Sequence, residues 1–286
     1  DLAVPESRVE VISVLAGLNL VGVRESGIAE DILVYAKVAI LLVVAGAGLL
    51  TVDPAEAFPV FERGGGGAIT TAALIFVAYE GFQLLTYDYD DIADNRRNLP
   101  RAIYLSIPTV AVIYMLVAFA TTGALSDSVI SQHSETVLAY AARPLLGRVG
   151  ITAVLVAAVF STASAINATI FASARLARRI ARDGQLPGAV TRRTRGGVPV
   201  AFVAGTAAAA MVIQATADLG QITAFSSLVF LLVFVVVNAS ALPHGVFSGV
   251  GHLVPAGGAL GCAAAVAALG LDLFREEPTP LLTIAV

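Results

Sequence analysis

The sequence predicts an all-α polytopic membrane protein, and three observations predict it. Of 286 residues, 57% are hydrophobic and 13% charged, with a mean hydropathy of +0.86; about a quarter of the residues of a soluble domain are charged. The apolar residues gather into runs of about 17 to 25, the length at which a helix crosses a bilayer. The arginines gather in alternate gaps between those runs, the bias that orients membrane helices.

Seven runs have this character: 28–50, 68–88, 99–125, 146–172 with a charged continuation to 183, 198–217, 222–242 and 253–274. A shorter run, 9–23, precedes them, and 280–286 opens like a further helix. Pro54, Pro59, Pro187, Pro199 and Pro243 punctuate the gaps, and the Gly64–Gly67 tract leads flexibly into the run at 68. We read residues 1–286 as a single transmembrane domain. The chain starts at Asp1 without methionine and closes on a short apolar stretch after Pro280, so we expect an internal segment of a longer membrane protein. Asp1–Arg8 lacks the basic and apolar regions of a signal peptide.

Composition excludes several classes. One cysteine, Cys262, forbids an internal disulfide. A formal charge of −4 leaves no basic face for a nucleic-acid partner. No HExxH, GxSxG, phosphate-loop or dinucleotide pattern occurs, and Asp88, Asp90 and Asp91 stand toward one end of their run rather than as a mid-membrane aspartate pair, so the expectation is not an enzyme. His133, His244 and His252 lack metal-ligand spacing, and we expect no metal and no cofactor.

Orientation follows from the arginines. The gaps near Gly22, Arg96 and Arg178 hold one, three and seven; the opposite gaps and the chain start hold Arg8, Arg63, Arg143, Arg148 and Arg275. Eleven against five places the first set in the cytoplasm. The series Arg175, Arg178, Arg179 and Arg182, with Arg192, Arg193 and Arg195, then sits at the anionic cytoplasmic leaflet.

The 28–50 run carries the only lysine of the chain, Lys37. A cation at bilayer depth costs about 2.5–3.5 kcal/mol on insertion scales and normally faces protein, water or a partner on an ion or proton path. The competing reading is snorkelling, since Lys37 stands only about 9 Å of helix rise from Asp31.

In the 68–88 run, Phe76-Val77-Ala78-Tyr79-Glu80-Gly81-Phe82 puts an acid beside a glycine in mid-span. A helix broken there would offer backbone N–H and C=O groups to a substrate or coupling ion. An ordinary helix with Gly81 as a packing notch is the alternative.

These residues, with Asp90-Asp91-Ile92 and Arg96-Arg97-Asn98-Leu99-Pro100-Arg101-Ala102-Ile103, resemble the amino acid-polyamine-organocation permeases. Ala141–Gly147, Phe160–Ile170, Arg175-Leu176 and Ala181–Pro187 extend the resemblance, which runs from Leu18 to about Leu242. It is closest to the archaeal proton-coupled, broad-specificity amino acid permeases of that superfamily.

The resemblance implies the inverted-repeat (LeuT-like) transporter fold, with its first and sixth helices broken around a central substrate site. On that map the chain starts within helix four and runs to the start of helix twelve, with the N-terminal helices one to three missing. Phe76, Val77, Ala78, Tyr79, Glu80 and Gly81 become the substrate-binding break of helix six. Lys37, in Ala29–Lys37 on helix five, becomes the proton-coupling residue, its amine standing where sodium sits in sodium-coupled cousins. Desolvation disfavours an ammonium, so protonation at such a site can respond to conformation. Ser161, Thr162 and Ser164 on helix eight are the remnant of an ion site, weakened by Ala163 where a hydroxyl is usual; small residues there also pack helices. Asp90, Asp91, Arg96, Arg97 and Arg101 would form a cytoplasmic gate of breakable ion pairs, or remain solvated loop charges.

Two departures from the family pattern stand out. Asp94-Asn95 replaces the usual Asn-Pro, and Glu80 stands where many relatives carry an uncharged residue, so that it would favour cationic substrates or carry a proton. The expected function is secondary active amino acid transport by proton symport, with alternating access in the plasma membrane of a prokaryote, an archaeon. Its partners would be an amino acid, a proton and the bilayer. The alternatives are an amino acid or polyamine exchanger without net proton coupling, and a non-transporting sensor or subunit on the same fold. Gly257 and Gly261 form a small-xxx-small pair that reads as packing within the chain or as a dimer seam.

Overall fold

The computed structural model describes residues 27–50, 64–134, 136–185, 200–242 and 249–276. The expected runs 9–23 and 280–286, and Arg192, Arg193 and Arg195, lie outside them. The described chain is helical, without a strand: α1 (Gly27–Leu49), α2 (Gly64–Leu74), α3 (Asn95–Ala124), α4 (Asp127–Gln132), α5 (Val137–Arg182), α6 (Val200–Thr216), α7 (Leu219–Ala241) and α8 (Leu253–Glu276). Short 3-10 segments cover Ile75–Tyr79, Phe82–Asp91 and Gly249–His252. Among the described residues four helices are long and apolar enough to cross a membrane: Asn95–Ala124, Leu146–Ile166, Leu219–Ala241 and Leu253–Phe274. Val34–Leu49, Gly66–Tyr79 and Phe202–Thr216 are apolar but shorter.

The described helices pack as two compact units, one taking the described residues of 1–60 and 81–211 and the other those of 61–80 and 212–286. In the first, α1 lies against α3 and α5. Val44, Ala139, Ala142 and Val154 are buried together, with Ile40, Leu138 and Ile151 around them. The α1–α3 crossing is close because it is glycine on alanine. A Cβ on Gly48 would stand 2.5 Å from the Ala120 Cβ, so only the smallest side chains permit this approach.

The stretch labelled α5 is two helices joined at Gly147, whose φ of 60° and ψ of −147° are not helical; the long one starts where the apolar run at 146 does, and the short one from Val137 precedes it. Pro144 prepares this interruption by removing a backbone donor. The result is a short helix abutting a long one that runs to Arg182.

In the second unit α7 packs along α8, and α2 packs on both. Ala73, Leu231 and Leu269 are buried at the centre, with Leu74, Phe76, Leu228, Ala265, Val266 and Leu273 around them. Gly258 makes the tight contact, since a Cβ there would meet Asn238 Oδ1 at 2.5 Å. Gly257 and Gly261, the pair expected to pack, have nothing within 4 Å of their Cβ positions.

Helix α7 starts on a capping box. The Asp218 carboxylate accepts from the Gln221 N–H at 2.8 Å, and the Gln221 side chain accepts from the Asp218 N–H at 3.2 Å. Two donors left without partners at a helix start are thereby satisfied. Asp218→Ala is expected to cost about 1 kcal/mol, read as a lower thermal midpoint of the full-length parent, with Asp218→Asn retaining most of the stability.

Candidate functional site

Three groups of residues were singled out by their chemistry, and each sits on a definable piece of backbone. The first is the interruption after α2. The helix tightens to a 3-10 turn over Ile75–Tyr79, Glu80 becomes extended at φ −63° and ψ 149°, and Gly81 turns to φ 125° and ψ −32°. The sequence drew one run from 68 to 88; the chain makes a helix, a break and a second 3-10 segment. Nothing lies within 4 Å of a Cβ built on Gly81. Its glycine therefore serves backbone conformation, not space, because L side chains rarely adopt that φ.

Local hydrogen bonds hold each side of the break. The Glu80 N–H donates to the Val77 carbonyl at 3.0 Å. Past the break, the Gly81 N–H donates to Gln83 Oε1 at 2.9 Å, and the Leu84 N–H to the Gly81 carbonyl at 3.0 Å. The Phe76 ring meets Phe234 of α7 edge to face, with centroids 5.8 Å apart, an arrangement worth about 0.5–1.5 kcal/mol beyond area burial. Ala78 and Glu80 are exposed; Phe76, Val77, Tyr79 and Gly81 are half-buried.

The second group lies on α1 and α5. Lys37 is half-buried on α1. Spacings of three and seven residues put it on the face of Ile40 and Val44, the face that packs against Val154 of α5. Ser161 and Thr162 are exposed on α5 and Ser164 is half-buried. The Thr162 hydroxyl donates to the Ala158 carbonyl at 2.9 Å, leaving its oxygen lone pairs available as acceptors. Lys37 precedes Ile40 by one turn, and the hydroxyls follow Val154 by two to three turns.

The third group is the turn into α3. Asp94 adopts a left-handed conformation at φ 46°. Asn95 Nδ2 donates to the Tyr89 carbonyl at 2.9 Å and Asn98 Nδ2 to the Ala93 carbonyl at 2.6 Å, so two amides brace the loop around Asp94. Asp90, Arg96, Arg97 and Arg101 are exposed, and the Asp91 side chain lies outside the described residues. Among the described residues these charges make no ion pair with one another in this conformation. No group of three potential metal ligands occurs among the described residues.

Sequence reasoning passed over Ser227. It is fully buried, at 0% exposure, and its hydroxyl donates to the Leu74 carbonyl at 2.6 Å and accepts from the Val77 N–H at 3.0 Å. A hydroxyl inside the apolar 222–242 run was the available signal, since a buried polar group needs partners.

Comparison with known proteins agrees with this architecture. A relative in Methanocaldococcus jannaschii, carried as an uncharacterized protein, is 35% identical over 188 residues, 65% of this chain and 43% of its own. The Escherichia coli inner membrane transport protein YbaT is 28% identical over 237 residues, 81% of this chain and 54% of its own. The vacuolar cationic amino acid transporter 2 of Arabidopsis thaliana is 27% identical over 251 residues, 85% of this chain and 39% of its own. The chain thus spans about half the length of the curated relatives it matches. The model of the amino acid permease family matches residues 9–266, nearly the whole chain, and the chain belongs to that family.

Proposed function

We propose that the chain is part of a secondary active transporter of amino acids, driven by proton symport and working by alternating access in the plasma membrane of a prokaryote. The observation that carries this reading is the break at Glu80–Gly81 in an otherwise apolar segment. An uninterrupted helix satisfies its backbone internally and offers a polar substrate nothing at bilayer depth. A broken one presents N–H and C=O groups to the carboxylate and ammonium that every amino acid carries. Residues 1–286 act here as one transport domain.

Within this proposal each group has a role. Backbone and side chains from Phe76 to Gly81 bind substrate. Lys37 exchanges the coupled proton on the α1 face turned to α5, with Ser161, Thr162 and Ser164 as neighbouring oxygens of a vestigial ion site. Asp90, Asp91, Arg96, Arg97 and Arg101 pair and separate as the cytoplasmic side closes and opens. The exposed Glu80 adds negative charge beside the bound substrate and biases selection toward cationic amino acids, the class for which the Arabidopsis relative is named.

The test uses the full-length parent in proteoliposomes, given a labelled amino acid mixture, an imposed inward proton gradient and no sodium. Gradient-driven accumulation supports symport. Uptake that ignores the gradient but requires amino acid on the far side identifies an exchanger, and the absence of any uptake identifies a sensor or subunit.

A further inference from the structure

The hydroxyl of Ser227 lies across a single turn of the chain. Leu74 is the last residue of α2, and Val77 is the third residue of the 3-10 turn that follows. The Leu74 carbonyl and the Val77 N–H are an i, i+3 pair, the pair that a 3-10 turn brings together. Ser227 donates to the first at 2.6 Å and accepts from the second at 3.0 Å. It comes from α7, 150 residues further along the chain than Val77, and all of its side chain is buried. One side chain thus satisfies both directions of hydrogen bonding at the point where the α-helix changes pitch. A side chain that inserts into the i→i−4 hydrogen-bond ladder is a recognised cause of a helix kink.

The surroundings make this a fixed point. Ala73, immediately before Leu74, is buried with Leu231 of α7, one turn beyond Ser227. Phe76 closes the other side against Phe234, two turns beyond. The tightened turn is therefore clamped to α7 by a hydroxyl between two apolar contacts, and only the hydroxyl has direction. Three residues after Val77 the chain goes extended at Glu80.

We infer that Ser227 is a positioning residue for substrate recognition: by bridging Leu74 and Val77 it holds the 3-10 turn that aims the backbone of Phe76–Glu80 at the amino acid. The inference rests on the transport reading given above, and its test separates the two. Ser227 touches no substrate in this account; it acts through Val77 and Leu74.

The experiment compares the full-length wild type with Ser227→Ala, Ser227→Thr and Ser227→Cys. Amide hydrogen exchange in detergent micelles reads the positioning without any transport. Ser227→Ala is expected to speed exchange at least tenfold at Val77 through Glu80 while leaving the middle of α7 and α8 protected, and Ser227→Thr, which keeps the hydroxyl, is expected to restore protection. In proteoliposomes Ser227→Ala is expected to raise KM about fivefold or more with the maximal rate within twofold, Ser227→Cys falling between. Unchanged exchange at Val77–Glu80 in Ser227→Ala overturns the inference, and so does faster exchange spread evenly over α7, because that is loss of packing and not of the bridge. A wild type that carries no amino acid sinks the transport reading, while the exchange result still decides whether Ser227 holds the turn.

Discussion

Lys37→Ala in the full-length parent is expected to bring proton-gradient-driven amino acid uptake down to the level of empty vesicles. The loss is not expected to come from unfolding. Removing a cation at bilayer depth relieves an insertion penalty of about 2.5–3.5 kcal/mol, and the neighbouring core of Ile40, Val44 and Val154 does not depend on an ammonium. Its thermal midpoint is therefore expected to equal or exceed that of the wild type. Lys37→Arg sharpens the test, because a guanidinium keeps the charge but does not deprotonate in proteins. That variant is expected to lose the response to the gradient while still exchanging labelled for unlabelled amino acid. Gradient-driven uptake that survives in both variants would remove Lys37 from the coupling path and leave snorkelling as its explanation.

Gly81→Val is the second large effect. Gly81 stands at φ 125°, where a side chain brings strain of roughly 1–3 kcal/mol. If the segment relaxes to relieve it, the backbone of Phe76–Gly81 leaves the conformation proposed to bind substrate. Converted at about 1.4 kcal/mol per factor of ten, this corresponds to a loss of roughly 5- to 150-fold in uptake efficiency at limiting substrate. Since a Cβ at this position meets nothing within 4 Å, Gly81→Ala is expected to move in the same direction without a steric clash. Initial uptake rates at low substrate read both variants; wild-type rates in Gly81→Val would mean that the positive φ is dispensable.

Much of this arrangement was legible in the sequence. The described helices fall on the apolar runs because a membrane helix must keep polar side chains out for about 20 residues, and composition alone records that. The break was legible as one of two readings of Glu80 beside Gly81 in mid-run, the other being an ordinary helix with Gly81 as a packing notch. Its form was not. Whether the chain tightens to a 3-10 turn before the glycine depends on the hydroxyl of Ser227, supplied by a run 150 residues away, and no local pattern reports such a partner.

Other misses share that cause. Gly257 and Gly261 have the spacing of a packing pair, yet the close approach is made by Gly258, because the position of Asn238 on α7 decides which face of α8 is tight. The helical turns from Val137 to Leu146 lie in a stretch too mixed for an apolar-run reading to extend a helix into it. For Asp90, Arg96, Arg97 and Arg101 the charges were plain in the sequence. In the structure all four are exposed.

The most direct test of proton-coupled amino acid transport is proton movement itself. Full-length protein is placed in vesicles loaded with a pH-sensitive dye, without sodium and without an imposed gradient, under a potassium-diffusion potential negative inside. Addition of the amino acid mixture is expected to acidify the lumen in the wild type and to leave it unchanged in Lys37→Ala. Amino acid entry by the wild type with no acidification would contradict the account.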